Sequence, residues 1–352
     1  MSYITIGGQN IGDGFPCALI CEIGINHNGS ITSAKQMVDI AAALGIDFIK
    51  FQKRDLNALY RKQDLLNPNL KGQGFATIVD WLKKIDMPDD FYYDLYEYCT
   101  DKGIKFLCSP FDIPSARFLE HELNVCAYKI GSPVMSDIFL LKEIISYNKP
   151  IIISTGMHRI DEIDQVVNLL KKNNSQFILM HCISNYPTKF PDLKLRYITM
   201  FKERYDVPIG FSSHSYGVVA SIAALTLGAC MIEHHFTLDR TSPDGPDHRS
   251  SFEGLGLKAL VERIKRIEQA LKPIGEAKVN MGELVNKELL VKSLVAKTEI
   301  RRGEEITEDK LTAKVYGYGM SPLMLDSILY KRAKVDIFKD DFITESMIDI
   351  DD

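Results

Sequence analysis

Short apolar runs punctuate the first two thirds of the chain, at 17–21, 48–51, 104–108, 125–130, 151–153, 177–180, 208–211 and 229–232. Each is too short for a helix and is bounded by polar or turn-forming residues, so each reads as a strand covered on both faces. Between them the apolar positions recur with helical period, most clearly at 33–43, 88–102, 137–146 and 160–172, and in an alanine-rich stretch at 216–227. Eight strands alternating with helices is the count of a closed (β/α)8 TIM barrel. The alternative is a doubly wound open sheet. No GxGxxG follows the first strand, however, and no GxxxxGK[ST] occurs anywhere, so nucleotide binding lacks its usual support.

What stands at the end of each run is more informative. In order these are Glu22 with Asn26 and His27; Lys50 and Gln52; Ser109 and Asp112; Lys129 and Ser132; Ser154 and Thr155; His181, Ser184 and Tyr186; Ser213 and His214; Glu233 and His235. In a parallel barrel all eight strand ends meet at one mouth, where the active sites of this fold sit. Adjacent strand residues face opposite ways, so only one of His234 and His235 can address that mouth, and His235 shares a face with Glu233. A divalent metal between His214 and His235 fits imidazoles brought together from neighbouring strand ends.

Lys50 and Lys129 lie inside apolar sequence, FIKF and AYKI, and a buried lysine needs a partner. Two ammonium groups beside Ser132, Ser154 and Ser213 make a cradle for a phosphate or carboxylate, with lysine supplying charge and serine directional donors. A metal next to an anion cradle suits Lewis-acid chemistry on such a substrate. No GxSxG elbow points to acyl transfer.

Composition narrows the field. With 352 residues, 45% hydrophobic and 25% charged content, this is an ordinary globular chain long enough for one barrel and an appendage. The net charge of −5 is interspersed, so no basic face advertises nucleic acid or a membrane. No signal peptide and no membrane span are read, which predicts a cytoplasmic protein. Seven cysteines without a CxxC pair read as reduced core residues. Residues 60–88 form the longest insertion between strands, a lid over the mouth or a surface loop. The barrel is expected over 1–273, a linker over 274–289 and a small domain over 290–352. In the last, AKTEIRRGEEITEDKL at 296–311 recurs as AKVDIFKDDFITESMI at 333–348, predicting two similar strand-turn-strand units.

The stretches EIGINHNGS (22–30), FIKFQ (48–52), SPFD (109–112), YKIGSP (128–133), STGM (154–157), HCISNYPT (181–188), GFSSHS (210–215) and EHHFTLDRTSPDGPD (233–247) resemble, in order, the sialic acid synthases. That group includes legionaminic and pseudaminic acid synthases, and the C-terminal repeat resembles its antifreeze-like (SAF) domain. The resemblance implies condensation of phosphoenolpyruvate with an N-acylated mannose-type sugar to a nine-carbon 2-keto-3-deoxy acid, N-acetylneuraminate being the first expectation. It implies that His214 and His235 hold a divalent metal, most often Mn²⁺ with Mg²⁺ or Co²⁺ as alternatives. Lys50, Lys129, Ser132, Ser154 and Ser213 would hold phosphoenolpyruvate. Gln52, Ser184 and Tyr186 would meet the sugar, and Glu22, Glu233 and Asp247 would be catalytic. It further implies a domain-swapped homodimer, the small domain completing a partner's site.

Two positions depart from that pattern: Ser184 stands where many members carry Asn, and Val315 where an arginine is expected to reach the N-acyl group. The sugar is therefore the open question, with legionaminic or pseudaminic precursors as alternatives to N-acetylmannosamine. A phosphoenolpyruvate-dependent aldol enzyme acting on a sugar phosphate would need more arginine at the mouth, where Arg54 is the only one near. A barrel hydrolase would gather three or more His/Asp ligands, and a carbohydrate-binding module gives no reason for buried lysines.

Overall fold

The computed structural model describes residues 2–66, 76–272, 275 and 278–349. Two compact units result, Met1–Lys272 and Pro273–Asp352. The chain opens with a hairpin, β1 (Tyr3–Ile6) and β2 (Gln9–Gly12), turned through Gly7 and Gly8, both at positive φ. Eight parallel strands follow: β3 (Ala18–Gly24), β4 (Phe48–Lys53), β5 (Lys105–Pro110), β6 (Tyr128–Ile130), β7 (Ile151–Ser154), β8 (Phe177–Cys182), β9 (Ile209–Ser213) and β10 (Met231–His235). Their hydrogen-bonded order is β5-β4-β3-β10-β9-β8-β7-β6. First and last strands pair, His235 opposite Glu22, and β5 and β6 at the two ends of that order lie side by side. The expected (β/α)8 barrel is thus formed.

Alternation explains why these strands are apolar at consecutive positions. One set of side chains (Ala18, Ile20, Phe48, Leu107, Ala127, Ile152, Ile178, Met180, Met231) fills the barrel interior, together with Ile4, Ile6 and Ile11 of the hairpin. The hairpin therefore plugs one end of the barrel, away from the strand C-termini. The intervening set, among it Cys21, Ile49, Phe106, Tyr128, Ile153, Leu179 and Ile232, packs outward against the helices. Several helices start on side-chain caps supplied by the strand-end loops: Ser30 for Ile31–Ala43, Asp112 for Ile113–His121 and Asp137 for Ile138–Ser146. Within the 60–88 insertion, Leu82 and Ile85 of the helix Ala76–Ile85 pack with Ile25 and Leu56. Residues 67–75 of that insertion lie outside the described residues.

In the second unit a helix, Met281–Leu290, occupies part of the stretch expected as linker. β11 (Lys292–Ala296) and β12 (Leu311–Val315) then pair antiparallel. The 37-residue repeat is visible in the packing, since Ala296, Ile300, Ile306 and Leu311 share one core with Ala333, Ile337, Ile343 and Ile348, their counterparts. Ile300 and Ile337 exchange both backbone hydrogen bonds, at 2.9 and 2.8 Å. Thr307 and Thr344 each precede a single 3₁₀ turn. The two copies thus meet as near-equivalent halves.

Candidate active site

One step beyond the apolar interior, each strand places a polar residue at the next inward position. Glu22, Lys50, Ser109, Lys129, Ser154, Cys182, Ser212 and Glu233 form this layer, and all eight are buried. Two carboxylates and two ammonium groups make it charge-balanced. Lys50 Nζ lies 2.8 Å from Glu22 Oε2 and 3.9 Å from Glu233 Oε1, and donates to Ser109 Oγ at 3.2 Å. Lys129 Nζ lies 3.3 Å from Glu233 Oε2 and donates to Ser154 Oγ at 2.8 Å. Ser212 donates to Glu233 Oε1 at 3.2 Å, and Gln52 Nε2 to Glu22 Oε1 at 2.8 Å.

The four charges are not equivalent. Burial pushes the Glu22 carboxyl above the usual carboxylate range, with Lys50 working against it and Glu233 adding to it. Burial acts on Glu233 the same way, but Lys129 and Lys50 together outweigh it and hold that carboxyl low. Burial also pulls Lys129 below the ordinary lysine value, whereas for Lys50 the carboxylates of Glu22 and Glu233 overcome burial and raise it. Glu233 is thus the ionised hub, and Glu22 is the carboxylate with the higher proton affinity.

Above this layer stand two imidazoles. The His214 and His235 rings have centroids 5.3 Å apart, and the Tyr186 ring lies 4.1 Å from the first and 5.9 Å from the second. His214 Nδ1 is 2.8 Å from the Ile183 carbonyl oxygen, so Nδ1 carries the hydrogen and Nε2 keeps its lone pair. His235 Nδ1 is buried without a hydrogen-bond partner and sits 3.9 Å from Asp247 Oδ2. Burial holds His235 well below its ordinary value and hence as neutral imidazole, the form that binds metal. Among the described residues no group of three or more His, Cys, Asp or Glu side chains is arranged to hold an ion. This donor set fits a divalent ion that takes two protein nitrogens and fills its remaining positions from water and substrate.

On the opposite wall Ser132 Oγ accepts from the Gly156 amide at 3.0 Å. A Cβ added at Gly156 would stand 2.7 Å from that hydroxyl oxygen and 2.3 Å from Ser184 Oγ. Only glycine lets the two serines converge there. Ser184 Oγ is also 3.9 Å from Cys182 Sγ.

Of the residues expected from sequence, Glu22, Lys50, Gln52, Lys129, Ser154 and Glu233 thus form one contact network, and Tyr186, His214, His235 and Asp247 a second above it. Ser213 differs. It shares strand parity with Ile209 and Phe211, which pack outward, and its hydroxyl pairs with that of Ser215 at 3.0 Å. Its neighbour Ser212 faces the network instead. His234, as expected, points away: its ring stacks 3.8 Å from Phe252 and its nitrogens reach the carbonyls of His235 and Ser215. Two other strand-end histidines prove structural, His27 against Phe91 and Phe51, and His181 against Phe211 with its Nε2 at the Leu193 carbonyl. Ser212 was not among the expected site residues, although period two counted from Gly210 finds it.

With this geometry in view, comparison with known proteins is direct. Residues 37–276 match the NeuB family and residues 291–349 the SAF domain. The chain belongs to the NeuB family. An N,N'-diacetyllegionaminic acid synthase of Campylobacter jejuni is 35% identical over 93% of this chain and 98% of its own. The N-acetylneuraminate-9-phosphate synthase of Homo sapiens is 34% identical over 97% and 95%. Among solved structures, an N-acetylneuraminic acid synthetase of Leptospira borgpetersenii superposes with a TM-score of 0.70 at 33% identity, covering 81% of this chain and 95% of that one. The NeuB family member described here is therefore an enzyme with a TIM-type barrel followed by a SAF domain. Among its described residues no helix is long and apolar enough to cross a membrane.

Proposed function

We propose that this NeuB family enzyme condenses phosphoenolpyruvate with the open-chain form of an N-acylated mannose-type sugar, yielding a nine-carbon 2-keto-3-deoxy acid and phosphate. The observation that carries the reading is the buried pair Lys50 and Lys129, each beside a serine hydroxyl, one layer beneath two imidazoles with lone pairs to spare. The lysines, with Ser132 and Ser154, hold the phosphate and carboxylate of phosphoenolpyruvate. Gln52, Ser184 and Tyr186 orient the sugar. His214 and His235 would hold a divalent ion, most naturally Mn²⁺, which when bound supplies Lewis-acid polarisation of the sugar aldehyde.

The bond formed joins C3 of phosphoenolpyruvate to C1 of the sugar, whose aldehyde oxygen becomes a hydroxyl. Water then adds at C2, and the C2–O bond to phosphate breaks to leave the ketone. Glu22, the carboxylate of higher proton affinity, accepts the proton of that water. Glu233 stays ionised and keeps both lysines in register, and Asp247, 3.9 Å from His235 Nδ1, would orient water beside the imidazole pair. Ser213, turned to Ser215, would join the cradle only through its backbone.

N-acetylmannosamine is the first substrate to test, with 6-deoxy-diacetamido hexoses of the legionaminic and pseudaminic type as the second reading, favoured by Val315. The reading carries with it a cytoplasmic homodimer, and a solution mass equal to that of a single chain would count against the dimer. The deciding assay is phosphate release from phosphoenolpyruvate and Mn²⁺ with each sugar, and no release with any of them would refute the proposal.

A further inference from the structure

β4 carries a ladder of inward positions that does not stop at the sugar-binding glutamine. Phe48 lies in the barrel interior, Lys50 in the charged layer and Gln52 above it, and Arg54 is the next residue of that parity, just past the strand end. Each two-residue step rises about 7 Å, so Arg54 stands one step beyond Gln52 and two beyond Lys50, on the outward side of the sugar. Its guanidinium lies over the Phe111 ring at 4.2 Å and donates through Nη2 to Gln52 Oε1 at 2.5 Å. That bond leaves the Gln52 amide nitrogen facing Glu22. Arg54 is also near enough to Asp247, beside His235, for the two charges to act on each other.

What Arg54 lacks is a contact ion pair. Among the described residues no carboxylate forms an ion pair with it, although Lys50, Lys53 and Lys129 each have one. A guanidinium offers five donors in a planar fork, and one bond to Gln52 leaves the rest of the fork unengaged. A partly buried cation held flat on an aromatic ring with donors to spare is built to receive an acceptor oxygen.

Resting on the reaction proposed above, we infer that Arg54 is a specificity-determining residue. It donates to an acceptor oxygen on the sugar beyond the carbons held at Gln52, either a phosphoryl oxygen at the distal end or an acyl carbonyl. Both offer the same chemistry to a guanidinium, and the experiment separates them.

The test compares wild type, R54Q and R54K with phosphoenolpyruvate and Mn²⁺ against N-acetylmannosamine, its 6-phosphate, a 6-deoxy-diacetamido hexose and mannose. R54Q should lose about 10- to 100-fold in kcat/KM for the sugar that Arg54 addresses, the worth of a charge-assisted hydrogen bond. The KM for phosphoenolpyruvate should stay unchanged, because the cradle lies two steps away. A loss confined to the 6-phosphate identifies a phosphoryl acceptor. A loss shared by every acylated sugar but absent with mannose identifies the carbonyl. R54K should recover part of the loss for the phosphate and little for the carbonyl. An unchanged melting temperature and an intact KM for phosphoenolpyruvate distinguish this from misfolding. Wild-type sugar kinetics in R54Q would overturn the inference while leaving the reaction standing. No turnover by wild type with any sugar would instead overturn the reaction.

Discussion

Replacing Lys129 by Met separates the two roles of the charged layer. Lys129 and Glu233 have side chains only 2% and 5% exposed and stand 3.3 Å apart. Removing one partner of such a pair leaves the other charge buried, at a cost of about 3–5 kcal/mol. Glu233 would retain Lys50, but at 3.9 Å, and Ser212, which argues for the lower end. For a unit of this size that is a fall in melting temperature of roughly 5 °C. The sign of the pH dependence follows. In K129M Glu233 loses the larger of the two charges that hold it low, so its folded proton affinity rises and the stability that its lowered value supplied above the unfolded carboxylate range is lost. The deficit is then full at neutral pH and shrinks as pH falls toward the unfolded carboxylate value of about 4.3. Adding E233Q should restore most of the lost stability at pH 7, since a neutral amide can be buried with Ser212 as its partner. The double variant should still bind phosphoenolpyruvate poorly, because it has one cation fewer. Calorimetry across pH 4.5–8, with the KM for phosphoenolpyruvate measured alongside, checks both parts. A K129M that melts like wild type at pH 7, or a double variant no more stable than K129M, would refute the picture of a charge-balanced layer.

The two adjacent histidines should respond oppositely: H235Q should abolish turnover and Mn²⁺ binding, read by the paramagnetic resonance of the free ion, while H234Q should keep Mn²⁺ and lose only stability. Activity that survives exhaustive chelation would exclude the two-imidazole ion site. Gly156→Ala should raise the KM for phosphoenolpyruvate and lower the melting temperature by an overpacking cost of about 1–3 kcal/mol, with Cβ 2.3 Å from Ser184 Oγ. Ser184→Ala should relieve part of that in the double variant, and an unchanged KM in G156A would show that Ser132 does not border the anion.

Much of the fold was legible because both faces of every barrel strand meet apolar neighbours, so the strands announce themselves as unbroken runs. Their ends did not. β3 was expected to stop at residue 21 and runs to Gly24, β8 at 180 and runs to Cys182, β10 at 232 and runs to His235. The same physical fact lies behind each miss. A strand's apolar composition ends where its side chains reach the charged layer, while the backbone ladder continues through that layer. The β1–β2 hairpin was passed over for the opposite reason: Gly7-Gly8 between alternating residues is a turn signal, but two four-residue strands are too short to stand out until the barrel end they plug is known.

The site was legible through residue type and only partly through direction. Burying an ammonium in apolar sequence demands a partner, and the partners the structure gives Lys50 and Lys129, Glu22 and Glu233, stand on the same strand-end census. His234 and His235 were separated by parity alone. Applied strictly, the same parity rule excludes His181 and turns Ser213 away in favour of Ser212, because Met180 and Gly210 set the inward phase of β8 and β9. It also carries β4 one step further, to Arg54. What parity cannot supply is charge balance. Whether Arg54 ends in an ion pair, as Lys53 does with Asp89 at 2.6 Å, or stays unpaired over Phe111 depends on which carboxylates the loops bring near, and those loops come from segments far apart in the chain. An unpaired cation at the mouth of a layer that is otherwise neutral is therefore a property of the folded molecule, and R54Q tests whether the choice of sugar turns on it.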